Sequence, residues 1–192
     1  MRVNIGKKGV RCFGIAESFR KEIGSKAMLA GVVMRSDLLV DGLVLNTCTV
    51  GGMDSTDSII SMWKTLDRDD INIILLGGSV ISWFNVVNLR QLYEITSTPL
   101  ICITYRESDG LDEVFKKRFP LDWVQRLEVH RGNGERLPVI LKTGYKLFVR
   151  CFGIDVEDAK KLLDKFTLEG RYPEPVRLAK MVARSVLRLR QL

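Results

Sequence analysis

The sequence predicts an α/β domain built on a mixed five-stranded sheet with helices on both faces. Three β-like runs near the N-terminus follow one another with only short turns between them, the pattern of an antiparallel meander. Two later runs, residues 71–76 and 99–105, are almost wholly apolar, as strands buried on both faces are. Each is reached through a segment whose apolar residues recur at helical spacing. Strand–helix–strand order calls for parallel pairing through right-handed crossovers.

Residues 10–16 read as the first strand, 27–35 as the second and 43–50 as the third, the last entered through the hairpin-turn dipeptide Asp41-Gly42. Asp54, Ser55, Thr56 and Asp57 offer N-cap side chains, and Ile59, Ile60, Trp63 and Leu66 follow at helical spacing as far as a charged turn at 67–70. The fourth strand, 71–76, stops at Gly77 and Gly78. Residues 86–95 are expected to be helical, with Val86, Leu89, Leu92 and Tyr93 on one side and Asn85 as the cap. The fifth strand, 99–105, precedes two short helices at 111–119 and 121–129, and a turn at Gly132-Asn133-Gly134. Strand-like runs at 139–141 and 146–152 follow. Asp155 caps a helix to Phe166 that turns Ala159, Leu162, Leu163 and Phe166 inward. Pro173-Glu174-Pro175 introduces the last helix, whose expected core stripe is Leu178, Met181, Val182, Ser185 and Leu189. No internal repeat, low-complexity tract or linker interrupts this order, so residues 1–192 read as a single domain.

Composition narrows the function classes. The chain is 46% hydrophobic and 28% charged, which is ordinary globular chemistry. No apolar run approaches the roughly 18 residues of a membrane span, and the basic start is not followed by a signal-peptide core. The expectation is a cytoplasmic protein with no membrane partner. Cys12, Cys48, Cys102 and Cys151 each stand alone in an apolar run, as core thiols do. His130 is the single histidine and lacks a partner at metal-ligand spacing, so neither a zinc site nor a Ser/His/Asp triad is expected.

The formal charge is +7, with a pI near 9.4. Arg177, Lys180, Arg184 and Arg188 share one face of the last helix at i, i+3, i+7 and i+11. Such a stripe either tracks nucleic-acid phosphates or is a solvated face whose late arginines complement the helix dipole. Lys7, Lys8 and Arg11 are candidates to extend it. Trp83 and Phe84, after the fourth strand, either stack on an unpaired base or plug the cleft. The pairs Gly51, Gly52 and Gly77, Gly78 either form an N–H nest for phosphate or are simply flexible strand ends.

Short stretches in consistent order resemble a known family: Phe13-Gly14-Ile15, Leu29-Ala30-Gly31-Val32-Val33, Asp41-Gly42, Thr49-Val50-Gly51-Gly52-Met53-Asp54-Ser55-Thr56, Trp83-Phe84-Asn85-Val86-Val87 and Pro173-Glu174-Pro175-Val176-Arg177-Leu178-Ala179. Over nearly its whole length the chain resembles the archaeal "domain of unknown function 99" family, related to endonuclease V. The resemblance implies a ribonuclease-H-like fold with strand order 3-2-1-4-5. It also implies chemistry in which strand-end carboxylates hold Mg²⁺ or Mn²⁺ against a phosphate. The positions where that pattern has Asp are here Ala16, Gly51 and Gly77. Glu17 is next to Ala16, but strand alternation turns it to the other face, and Asp54 suits either a helix N-cap or a displaced ligand.

The expectation is a catalytically degenerate relative that binds DNA or RNA, with no cofactor. One alternative is an endonuclease that uses Mg²⁺ or Mn²⁺ in a rearranged site with Glu17 and Asp54. The other is a protein-interaction module. The pattern specifies no oligomeric state.

Overall fold

The computed structural model describes residues 9–106 and 110–189. Its elements run β1 (Arg11–Ser18), β2 (Lys26–Arg35), β3 (Val40–Thr49), α1 (Ser55–Leu66), β4 (Ile73–Leu76), β5 (Val80–Ile81), β6 (Asn85–Val86), α2 (Leu89–Thr96), β7 (Leu100–Thr104), α3 (Asp112–Arg118), α4 (Trp123–Gly132), β8 (Leu137–Ile140), β9 (Lys146–Phe152), α5 (Val156–Phe166) and α6 (Glu174–Leu189).

The main sheet has the order β3-β2-β1-β4-β7-β9-β8. Its first five strands reproduce the expected 3-2-1-4-5 order: β1 pairs antiparallel with β2 and parallel with β4, and β4 pairs parallel with β7. The sheet nevertheless has seven strands, not five. The runs near 139–141 and 146–152 form a hairpin, and β9 extends the sheet antiparallel to β7. Val149 of β9 is buried between its neighbours while Ile140 of β8 stays exposed, as befits an inner strand and an edge strand. Among the described residues no helix is long and apolar enough to cross a membrane.

Strand alternation divides the core into two layers. Phe13, Ile15, Leu29, Ile74 and Leu76 pack beneath α1 and α2, and Cys12, Ala16, Ala30, Leu75 and Ile101 pack beneath α5 and α6. All four cysteines are unbridged, three of them buried and Cys151 partly so.

Several local expectations need correcting. The β2–β3 turn is at 36–39, where Leu38 has φ 67°. Asp41-Gly42 lies inside β3, at a register shift opposite Val33 and Met34, and Arg11 and Arg68 pair with Asp41 there. Helix α2 begins three residues later than predicted, because the side chain of Asn88, not Asn85, accepts the Gln91 N–H. Gly132 closes α4 instead of starting a turn.

The stripe of α6 is rotated from the predicted one. Val176, Ala179 and Ala183 face the sheet, with Leu178 and Val182 at the margin, whereas Met181, Ser185 and Leu189 are exposed. Small residues bring this helix close to the strands. A Cβ on Gly14 would stand 2.4 Å from the Cβ of Pro175, so α6 enters directly over β1 only because residue 14 lacks a side chain.

Candidate nucleic-acid interface

Ligand sites in parallel sheets gather at the carboxyl ends of the strands. Here that edge brings together Ala16 and Glu17 from β1, Gly77 just beyond β4 and Tyr105 just beyond β7. The N–H of Gly77 donates to the Ile15 carbonyl at 3.0 Å. A Cβ on Gly77 would lie 4.0 Å from that of Ala16, so these two positions are neighbours, as the resemblance implies. The first turns of α6 roof them. Val176 Cγ1 stands 2.9 Å from where a Gly77 Cβ would be, so an apolar side chain fills the space that a side chain at 77 would need.

Glu17 lines this cavity, contrary to the alternation argument. The β1–β4 pairing ends at Ile15 and Leu76, so no residue of β4 flanks Glu17, and its long side chain turns toward α6. Lys180 Nζ lies 3.6 Å from Glu17 Oε1 and donates to the Glu17 carbonyl. The other carboxylate oxygen, Oε2, is buried without a hydrogen-bond partner. Burial raises the pKa of Glu17, and Lys180 offsets part of that. Arg177 also lines the cavity, and it is paired with Glu174 at its own helix start.

Asp54 and Gly51 are engaged in a separate network. The carboxylate of Asp54 accepts from Thr49 N (2.9 Å), Thr49 Oγ1 (2.7 Å) and Asn85 Nδ2 (2.7 Å). It sits at the N-cap position of α1 yet makes no side-chain cap bond. Burial works to raise its pKa, but the bonds from Thr49 and Asn85 prevail and lower it. Gly51 has φ 71°, and its carbonyl accepts from Arg126.

Arg126 is only 2% exposed and also donates to the carbonyls of Gly52 and Phe84 and to Asp122. It ties the 51–52 loop, the 82–84 turn and α4 together. Its sequence surroundings show only one more arginine in a weakly amphipathic segment, so no signal marked it.

Ser82, Trp83 and Phe84 have positive φ angles of 44°, 56° and 72°. This turn directs Phe84 onto Phe115 and Phe119 of the α3 region, at ring-centroid distances of 6.0 and 5.9 Å. Trp83 is half-buried beneath the Arg118 guanidinium. Neither aromatic lines the strand-end cavity. Arg184 and Arg188 are exposed farther along α6. Arg11 lies at the opposite end of β1, paired with Asp41 and Asp70, and so does not extend the stripe. Lys7 and Lys8 fall outside the described residues.

A second cavity, of about 400 Å³, opens beside the first and shares Gly77, Tyr105 and Tyr172 with it. The rings of Tyr105 and Tyr172 lie 4.7 Å apart between the two. Arg106, Arg136, Arg150 and Arg171 line the second cavity together with His130. No periodicity links residues 106, 136, 150 and 171, and only the folded sheet brings them together.

Residues 8–187 match the family model described as endonuclease dU. The chain belongs to this family. Among related proteins, a UPF0215 protein of Pyrobaculum calidifontis is 38% identical over 173 residues, covering 90% of this chain and 94% of the relative. A UPF0215 protein of Pyrococcus furiosus is 31% identical over 187 residues, covering 95% and 94%. A protein of unknown function from Archaeoglobus fulgidus superposes with a TM-score of 0.79 at 27% identity, covering 92% of this chain and 98% of that one. Human endonuclease V superposes with a TM-score of 0.65 at 16% identity, covering 96% and 87%. That last likeness concerns the fold, which is the ribonuclease-H-like one.

Proposed function

We propose that this endonuclease-V-like chain binds nucleic acid at its strand-end cleft without metal-dependent cleavage. The observation that carries the reading is the convergence of Ala16 and Gly77 at the ends of β1 and β4 with Val176 filling the space beside Gly77. A hard dication is held by several oxygen ligands, usually including one or two carboxylates. Among the described residues Glu17 is the one carboxylate that lines that cavity, and Asp54 is taken up by Thr49 and Asn85. Among the described residues no group of three His, Cys, Asp or Glu side chains is arranged to hold a metal ion. The residues present therefore do not fit a two-carboxylate metal site, and no chemical step through a metal is assigned.

The case for binding rests on charge. Lys180 and Arg177 stand at the cleft, Arg184 and Arg188 continue outward along α6, and the adjoining cavity is lined by arginines. Relatives of this fold include an endonuclease V of Ciona intestinalis in complex with inosine-containing DNA, and the family's description names deoxyuridine. The test is binding of the whole protein to labelled single-stranded, duplex, inosine-containing and deoxyuridine-containing DNA, and to RNA, at two salt concentrations. Salt-sensitive retention is expected, as phosphate contacts release counterions. Absence of binding to every substrate would overturn the reading in favour of a protein-interaction role.

The orphaned Glu17 Oε2 favours one second reading, a rearranged metal-dependent endonuclease. Mn²⁺-dependent cleavage that Glu17→Gln abolishes would establish it.

A further inference from the structure

We propose that the arginine-lined cavity beside β4 and β7 is a pocket for the terminal phosphate monoester of a nucleic-acid strand, an inference that rests on the nucleic-acid reading above. Its cations come from four separate segments: Arg106 after β7, Arg136 before β8, Arg150 in β9 and Arg171 before α6. No Asp or Glu is among the described residues that line it. Glu107 and Asp109 fall outside the described residues. Guanidinium N–H groups converging on one cavity are donors suited to an anion, and Arg150 supplies the unmatched charge.

Arg150 lies deepest, at 7% exposure. Its Nε donates to the Gly134 carbonyl at 2.8 Å and its Nη1 to Ser79 Oγ at 3.1 Å, both neutral partners. Burying a guanidinium without a counter-charge is costly. Arg126, at 2% exposure, has Asp122, whereas no carboxylate among the described residues pairs with Arg150. The orphaned polar atoms point the same way. Six buried side-chain nitrogen or oxygen atoms lack a partner among the described residues, and three of them, Thr104 Oγ1, Tyr105 Oη and His130 Nδ1, belong to residues that line this cavity. Hydroxyls and guanidinium N–H groups are the donors that phosphate oxygens accept from.

Depth selects the end of a strand. A terminal phosphate presents three free oxygens and close to two negative charges at neutral pH. An internal phosphodiester presents two such oxygens between two sugars, which would keep it from Arg150 at the floor. The neighbouring cleft, reached past Tyr105 and Tyr172, leaves room for the strand to continue toward Lys180.

His130, as the one histidine of the chain, reports on this pocket by NMR. Its pKa is pushed down to about 4 by burial first and then by Arg150 and Arg136, with Arg131 adding and Asp112 opposing. Inorganic phosphate titrated into the full-length protein should shift the His130 ring signals saturably and raise their titration midpoint by about one unit or more, because the anion favours the charged imidazole. In parallel, a single-stranded oligonucleotide with a terminal phosphate should bind about tenfold more tightly than its hydroxyl-ended twin. Arg171→Gln and Arg106→Gln, at the rim, should each erase that preference without unfolding the protein. Equal affinity for the two ends with His130 unmoved by phosphate would overturn the pocket and leave the nucleic-acid reading standing. A phosphate response with no binding of either oligonucleotide would overturn the strand end, and with it the proposed function, in favour of a free phosphate monoester.

Discussion

Glu17 is where residue-level chemistry and function meet. Its carboxylate is buried beside Ala16 and Gly77, partly matched by Lys180, and one oxygen lacks a partner. Burial raises its folded pKa. A carboxyl group with a raised folded pKa contributes stability that is present below its unfolded pKa and is lost as pH rises through the folded value. Glu17→Gln, which mimics the protonated form, should therefore stabilise the protein at neutral pH, with the gain shrinking to nothing as pH falls below the ordinary carboxylate range. Urea melts of both proteins across that range check this. A gain that persists unchanged at acid pH would show that the effect does not come from ionisation. His130 obeys the opposite sign. Its lowered pKa costs stability as pH falls from its ordinary value of 6.5 toward about 4, so the two groups are separable in the same titration.

At the scale of elements, the seating of α6 on the strand ends governs what the cleft can hold. Pro175 occupies the space above Gly14, and Val176 the space beside Gly77. Gly77→Asp should destabilise by about 1–3 kcal/mol, because a side chain there forces the stiff valine to move. Combined with Val176→Ala it should cost at least about 0.5 kcal/mol less than the sum of the single changes, as contacting residues do. Denaturant melts of the four proteins of the cycle test this, and strict additivity would mean that Val176 does not fill that space.

Much of this arrangement was legible in the sequence. Continuous apolar runs, glycine stops and the meander mark out β1, β2, β3, β4 and β7, and short stretches such as Pro173-Glu174-Pro175-Val176 place the roof helix. What stayed hidden depends on tertiary placement. Hydrophobicity points to the wrong stripe of α6, because Ala179 and Ala183 pack closest while Met181 is exposed, so side-chain size marks the buried face. Asn85 looked like a cap, but it is buried and bridges Thr49, Asp54 and the Ser55 N–H. The hairpin β8–β9 was visible as two short runs, yet its pairing with β7 is a long-range choice that no local pattern encodes. Arg126 and the arginine pocket lacked any spacing by which they could be recognised.

The whole molecule presents an uneven surface. Positive charge lies along α6 and around the two cavities at one end of the sheet, whereas Arg11 and Arg68 at the other end are paired with Asp41 and Asp70. If strand phosphates follow α6, the double substitution Arg184→Gln with Arg188→Gln should weaken single-strand binding and reduce the slope of log affinity against log salt by about 1.4, two contacts at about 0.7 each. Fluorescence titrations over a series of salt concentrations give that slope. An unchanged slope would place the strand elsewhere on the surface.

Binding without cutting is decided by one incubation. Labelled inosine- and deoxyuridine-containing strands, with the intact protein in excess and Mn²⁺ present, are followed for both retardation and strand scission. Retarded, full-length strands are expected at every time point. Scission that requires Mn²⁺ and disappears in Glu17→Gln would overturn this, and would make the Glu17 carboxylate a working ligand.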